Sequence, residues 1–270
     1  MVMNSLSNDF RQEGNELRAF LQETFATADW TRPTPFKNWT TEDVFQHLMV
    51  GDRLNILSMT NPERFIAVMA QRTAARAQGN KTSGVEYLDE PVGHGVDLLA
   101  QWHGQLNRLC DLFQVADAKA RMKWVGPDMS IRSAATARLM ETWAHGQDIY
   151  DMVGASRTAT DRLRHIAVLG VNTFAWTFVN RGLQPPEMPP CIELTAPSGE
   201  VWRWNEADQD NRIVGNALDF CQVVTQGRNI IDVNLQVNGD AATQWMAIAQ
   251  CFAGPAEDPP APGTRIGQAS

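Results

Sequence analysis

The stretch METWAHGQDIYD, residues 140–151, decides how this chain is read. As a helix it sets Glu141 and His145 four residues apart on one face, with about 5–6 Å between their Cβ atoms. A carboxylate and an imidazole at that spacing can share one metal ion. Arg138, Glu141, His145 and Asp148 continue a polar stripe, while Ala135, Leu139, Thr142, Trp143, Gly146 and Ile149 supply the packing side. A polar stripe is more often a solvated face, and becomes a site only where another helix brings ligands and walls to it. The candidate third ligand is His47, in TTEDVFQHLMVGD, residues 40–52. Thr40 with Asp43 forms a capping-box variant that starts this second helix, and Val44, Leu48 and Leu54 give its apolar face with His47 beside them. His103 is the rival, because it falls on the seam Val96, Leu99, Leu106, Cys110 and Phe113. A core histidine with a satisfied ring nitrogen is the commoner explanation for such a position.

Working outward, the remaining segments predict a helical bundle followed by a mixed domain. Ser7 can cap a first helix through Phe10, Leu17, Leu21 and Phe25, with Gly14 as a mild defect. Residues 29–39, with two prolines and two tryptophans, read as an ordered loop. Asn61-Pro62 starts a third helix through Phe65, Met69 and Ala75, and a polar loop is expected over residues 79–90. Gly126-Pro127 breaks the chain before Ser130 caps the key helix, which Gly154 ends. Another helix is expected from Thr160 through Leu163, Ala167, Gly170, Phe174 and Phe178 to Gly182. Residues 183–190 hold four prolines and read as a stiff linker. Ile192, Leu194 and Ala196 alternate before the Pro197–Glu200 turn and Trp202 and Trp204 after it, as in a β-hairpin. A helix through Ile213, Ala217, Phe220 and Val224, a strand at Val233, Leu235 and Val237, and a last helix from Asp240 containing Trp245, Met246, Ala249 and Phe252 follow. The expected organisation is α+β: a helical bundle over 1–182, a linker over 183–190, a small α/β domain over 191–254 and a flexible tail over 255–270.

Composition narrows the function. A formal charge of −8 and a pI near 5.1 argue against a phosphate-binding surface spread over the molecule, so nucleic acid is not an expected partner. No charged-then-apolar leader and no apolar run of spanning length occur, so no membrane association and a cytoplasmic location are expected. Cys110, Cys191, Cys221 and Cys251 form no C-x-x-C pair and read as buried reduced thiols. Nine tryptophans suit a roomy aromatic-lined pocket or large core packing.

With these residues placed, the chain resembles the DinB-like superfamily and, within it, the mycothiol-dependent maleylpyruvate isomerase family. The matching features are Trp39 followed by DVFQHLMVGD, the ETWAHGQDIYD helix, and DFCQVVTQGR near AQCFAGP. WAHGQD and QCFAGP draw it most toward an uncharacterised metal-binding subgroup. The resemblance implies an N-terminal DinB-like four-helix bundle and a small α/β domain similar to sterol-carrier proteins. It also places a metal triad on His47, Glu141 and His145, where the usual DinB-like pattern has three histidines. Two imidazoles and one carboxylate suit zinc with an open position, iron or manganese being the alternatives. A di-iron site is disfavoured, because the other Glu-x-x-x-His, Glu90 to His94, contains proline and glycine. The implied function is metal-dependent isomerase or thiol-transferase chemistry on a small organic acid, using mycothiol or another low-molecular-weight thiol. Arg228 is the candidate cation for a substrate carboxylate, or else a surface arginine at a helix end. Asp148 could orient His145 or face solvent. The alternatives are a non-catalytic metal- and ligand-binding protein, and a metal-dependent hydrolase with Asp148 or His103 as base.

Overall fold

The computed structural model describes residues 3–79, 84–87, 91–207 and 209–265. They form two compact units, Met1–Gly146 and Gln147–Ser270. Among the described residues, four complete α-helices and the larger, N-terminal part of a fifth build the first unit: α1 (Met3–Thr24), α2 (Thr41–Thr60), α3 (Pro62–Ala77), α4 (Gly95–Val115) and α5 (Ile131–Val153). A two-residue ladder, β1 (Arg121–Met122) with β2 (Met129–Ser130), brackets the Gly126-Pro127 break.

Helix α1 starts ahead of the expected cap. Ser7 is buried inside it and donates from Oγ to the Cys110 carbonyl at 2.7 Å, tying α1 to α4. Gly14 is a point of close approach, since a Cβ there would lie 2.5 Å from Leu106 Cδ1. The start of α2 follows its sequence signal: Thr40 Oγ1 accepts from the Asp43 N–H at 3.1 Å, and the Asp43 carboxylate accepts from the Thr40 N–H at 2.9 Å. Asn61 caps α3 through the Arg64 N–H at 3.0 Å, with Pro62 at the first helical position. Val50, Leu54, Phe65 and Val68 join α3 to α2. The ring pair Phe45–Trp102, 4.9 Å apart, packs α2 against α4. Ser130 Oγ accepts from the Ser133 N–H at 3.1 Å where α5 begins. The expected 79–90 loop lies largely outside the described residues, as does Glu90. His94 directly precedes α4 and donates from Nδ1 to Glu42 at 2.5 Å.

The second unit carries the rest of α5, then α6 (Leu163–Asn172), α7 (Phe174–Val179), β3 (Cys191–Thr195), β4 (Val201–Trp204), β5 (Arg212–Asn216), α8 (Ala217–Val224), β6 (Gln236–Asn238) and α9 (Asp240–Ile248). Its sheet runs β4-β3-β5-β6. The hairpin β3–β4 is the expected one, with Ile192 opposite Trp204. Ile213, expected in a helix, is instead buried in β5, which runs parallel to β3. Asn216 sets that boundary: its side chain accepts from the Asp219 N–H at 2.7 Å, so α8 can begin only after it. The strand expected at residues 233–237 is confined to Gln236–Asn238, and α9 ends before Phe252.

Three expectations of layout are revised. The single helix expected after Thr160 is two, with the Thr173 hydroxyl bonding back to the Leu169 and Gly170 carbonyls at the junction. Both pack within the second unit rather than in the bundle. A Cβ at Gly170 would lie 2.9 Å from Val224, and Trp245 meets Phe174 and Phe220 with ring centroids 5.1 and 5.8 Å apart. The compact units accordingly divide inside α5, not at residues 183–190. Finally, the described part of the expected free tail is held in place. Arg181 bonds Asp258 and the Glu257 carbonyl, Gln226 Nε2 donates to the same carbonyl, Asn229 bonds the Pro260 carbonyl, and Asp232 accepts from the Gly263 N–H. Among the described residues no helix is long and apolar enough to cross a membrane.

Candidate metal centre

Among the described residues, His47 of α2 and Glu141 and His145 of α5 form a group whose ligating atoms all lie within 4.8 Å of one another. His47 Nε2 donates to Glu141 Oε2 at 2.9 Å, and His145 Nε2 lies 3.6 Å from the same oxygen. A tetrahedral ion with bonds of about 2.0–2.1 Å sets its ligand atoms about 3.3 Å apart, a spacing that these two distances bracket. Two imidazole nitrogens and a carboxylate oxygen also form a donor set that zinc accepts. The residues present therefore fit a divalent cation. Exposure is graded across the group: the side chains of His145, Glu141 and His47 are 10%, 23% and 39% exposed. The group is most enclosed at His145 and most accessible at His47.

Aromatic rings wall it. The loop over residues 32–40 folds back on itself, with Thr34 N–H donating to the Trp39 carbonyl at 2.7 Å and Trp39 N–H to the Phe36 carbonyl at 2.8 Å. Lys37 and Asn38 take the left-handed conformation at the turn, φ 51° and 57°. Trp39 is thereby stacked on His145, centroids 5.6 Å apart and planes within 12°, and tilted over His47 at 5.3 Å. Phe36 meets His145 edge-on at 4.9 Å. Trp39 stands out in the sequence, whereas Phe36 does not. The proline-bounded aromatic pair immediately before a ligand helix was the available signal.

Electrostatics favour ligation. Burial pushes the Glu141 carboxyl up, but the His47 hydrogen bond and the neighbouring His47, His145 and Arg138 outweigh it and hold the group at about 2. His47 is held below the usual imidazole range, chiefly by burial and further by His145 and Arg138, against the opposing pull of Glu141. Arg138, one turn before Glu141 on α5, has its hydrogen bonds elsewhere: Nε donates to Asp52 Oδ1 at 2.9 Å and Nη2 to the Leu48 carbonyl at 3.0 Å, all of them buried. The stripe on α5 is thus directed inward, not into solvent.

The other sequence candidates fall as follows. His103 lies between α1 and α4 with Asn15, Arg18 and Asn107, so it is no ligand of this group. Asp148 is buried in the second unit and accepts from Arg265 at 3.2 Å. Arg228 grips Asp151 with both terminal nitrogens, at 2.6 and 2.7 Å. Asp151 also accepts from Gln147 at 2.9 Å. The four cysteines are buried and in no disulfide, and burial pushes the Cys110 thiol up to about 12, as an inert thiol requires.

The family model for the mycothiol maleylpyruvate isomerase N-terminal domain matches residues 10–150. The chain is 39% identical over 248 residues to an uncharacterized protein found in two strains of Mycobacterium tuberculosis, covering 92% of this chain and 95% of the relative. Its fold is similar to the crystal structure of the mycothiol-dependent maleylpyruvate isomerase, with TM-score 0.54 and 13% identity, covering 87% of this chain and 93% of that one. A mutant of that enzyme aligns with TM-score 0.51 and 14% identity over the same shares.

Proposed function

The chain belongs to the mycothiol maleylpyruvate isomerase family, and from that premise we propose a divalent-metal enzyme that uses a low-molecular-weight thiol of the mycothiol type. Its chemistry is isomerisation or thiol transfer on a small organic acid. The observation that carries this reading is the graded exposure of the His47–Glu141–His145 group beside its aromatic wall. A structural metal site is closed by four protein ligands, whereas three ligands with one accessible side suit a site that receives a visitor.

Zinc is the ion the donor set suits best; a cation held there favours thiolate over thiol at neutral pH and so supplies a nucleophile. The chain's own residues prepare the place. Glu141 is already anionic and needs no deprotonation. Trp39 and Phe36 fix the plane of His145, exclude water from one side and offer an apolar face to the stem of a thiol or to an unsaturated acid. Arg228 serves as the cation for a substrate carboxylate in this reading only by exchanging Asp151, which occupies both its terminal nitrogens. Asp148 is proposed to steady α5 through Arg265 rather than to act as a base.

Titration of the cobalt-substituted protein with mycothiol, glutathione and coenzyme A tests the proposal. A thiolate-to-cobalt band that grows with mycothiol and saturates is expected. A spectrum that no thiol perturbs would contradict the thiol-dependent reading.

A further inference from the structure

One buried ion pair joins the two helices that carry the ligands. Arg138 stands one turn before Glu141 on α5, and its guanidinium lies along the turn of α2 that begins just after His47. Nε bonds Asp52, Nη2 bonds the Leu48 carbonyl, and both side chains of the pair are enclosed, 4% and 0% exposed. Gly51 makes this fit. A Cβ on Gly51 would lie 2.5 Å from Arg138 Nη1, 2.7 Å from Cζ and 2.9 Å from Nη2. A guanidinium end is normally free to swing away, but here two hydrogen bonds hold it. Glycine inside a helix costs about 1 kcal/mol relative to alanine, and no turn requires it in the middle of α2. Its presence there is explained by the arginine it admits.

Stability alone does not account for the arrangement. A buried ion pair is often no more stabilising than apolar residues of the same volume, because both charges lose their hydration. What it does provide is direction: a planar fork reading an acid and a carbonyl on one helical turn tolerates little sliding or rotation of α2 against α5. An apolar contact would tolerate more of both.

We propose that the Arg138–Asp52 pair, seated in the notch left by Gly51, is the positioning element that sets α2 against α5 and so brings His47 onto Glu141. The inference rests on the reading of His47, Glu141 and His145 as a metal centre, but its geometric part can be tested without metal. The test replaces the pair by apolar residues, Arg138→Met with Asp52→Leu, and separately closes the notch with Gly51→Ala. Thermal unfolding in chelator identifies the folded variants. Cross-peaks between the ring protons of His47, His145 and Trp39 are then compared in the metal-free proteins, followed by zinc affinity from competition titration.

In a folded variant, loss of the His47–His145 cross-peaks and a 10–100-fold fall in zinc affinity are expected, the size typical of groups that orient metal ligands. Arg138→Lys, which keeps the charge but cannot span both acceptors, should fall between wild type and the apolar pair. Ring contacts and zinc affinity unchanged in both the apolar pair and the glycine variant would overturn the proposal. A wild-type protein that binds no zinc would instead sink the metal reading, and the ring contacts would then decide the positioning role alone.

Discussion

Glu141 is held at about 2 although burial pushes its carboxyl up, because His47 donates to it and His145 and Arg138 stand nearby. Its folded value lies below its ordinary 4.5. The stabilisation is therefore complete above pH 4.5 and is lost as pH falls through that value toward 2. For His47 the sign is opposite in kind but the same in direction. Folding holds it below 6.5, so protonation below that pH favours the unfolded chain. The metal-free protein should lose stability in two acid steps, one beginning below pH 6.5 and one below 4.5. Tm against pH for wild type and Glu141→Gln checks this: the variant should lack the lower step, and an identical acid limb in both would refute it. At this scale part of the candidate group was legible, since Glu141 and His145 stand out by residue type and helical spacing. Arg138's partner was not. Spacing puts Arg138 as near Glu141 as any neighbour, whereas Asp52 is 86 positions away in the chain and is found only once α2 and α5 are docked.

At the level of elements, the starts of α2 and α3 were read correctly because each has its own chemical signal, a reciprocal Thr40–Asp43 cap and an Asn61-Pro62 start. Thr40→Ala should cost about 1 kcal/mol in denaturant unfolding. Because it loosens the first turn of the ligand helix, it should also weaken zinc binding, though less than Gly51→Ala does. Alanine at Gly51 should depart from the usual rule for helical glycines: a loss of stability is expected in place of the customary gain, with unfolding midpoints as the readout. Where the reading of elements failed, the cause was a signal taken at the wrong residue. The spacing of Ile213 to Ala217 and Phe220 is helical and points to the following helix, yet Asn216 is the cap and residues 212–216 form β5. The Ser7 hydroxyl has the chemistry of a cap, but its bond to the Cys110 carbonyl is a tertiary contact that local sequence cannot show.

For the whole molecule, fold class was legible and the division of the chain was not. Helical periodicity reveals that α6 and α7 each have an apolar face, but not which surface covers it; Val224, Phe220 and Trp245 do, all in the second unit. Proline content likewise suggested a free tail after Gly254. Proline prevents regular structure without preventing order, and the side chains of Arg181, Gln226, Asn229 and Asp232 hold the described part of this segment in place. Truncation after Gly254 should accordingly lower stability by about 2 kcal/mol, a shift of several degrees in Tm by calorimetry; an unchanged Tm would mean that these bonds contribute nothing net. The proposed metal centre requires α2 and α5 to deliver three ligands to one cation. Elemental analysis of the purified protein and its His47→Ala variant tests that most directly. Stoichiometric zinc or another divalent metal in the wild type, and its loss from a variant that keeps its helical circular dichroism, is the predicted result. A metal-free wild type after growth in zinc, or a variant that retains its metal, would contradict it.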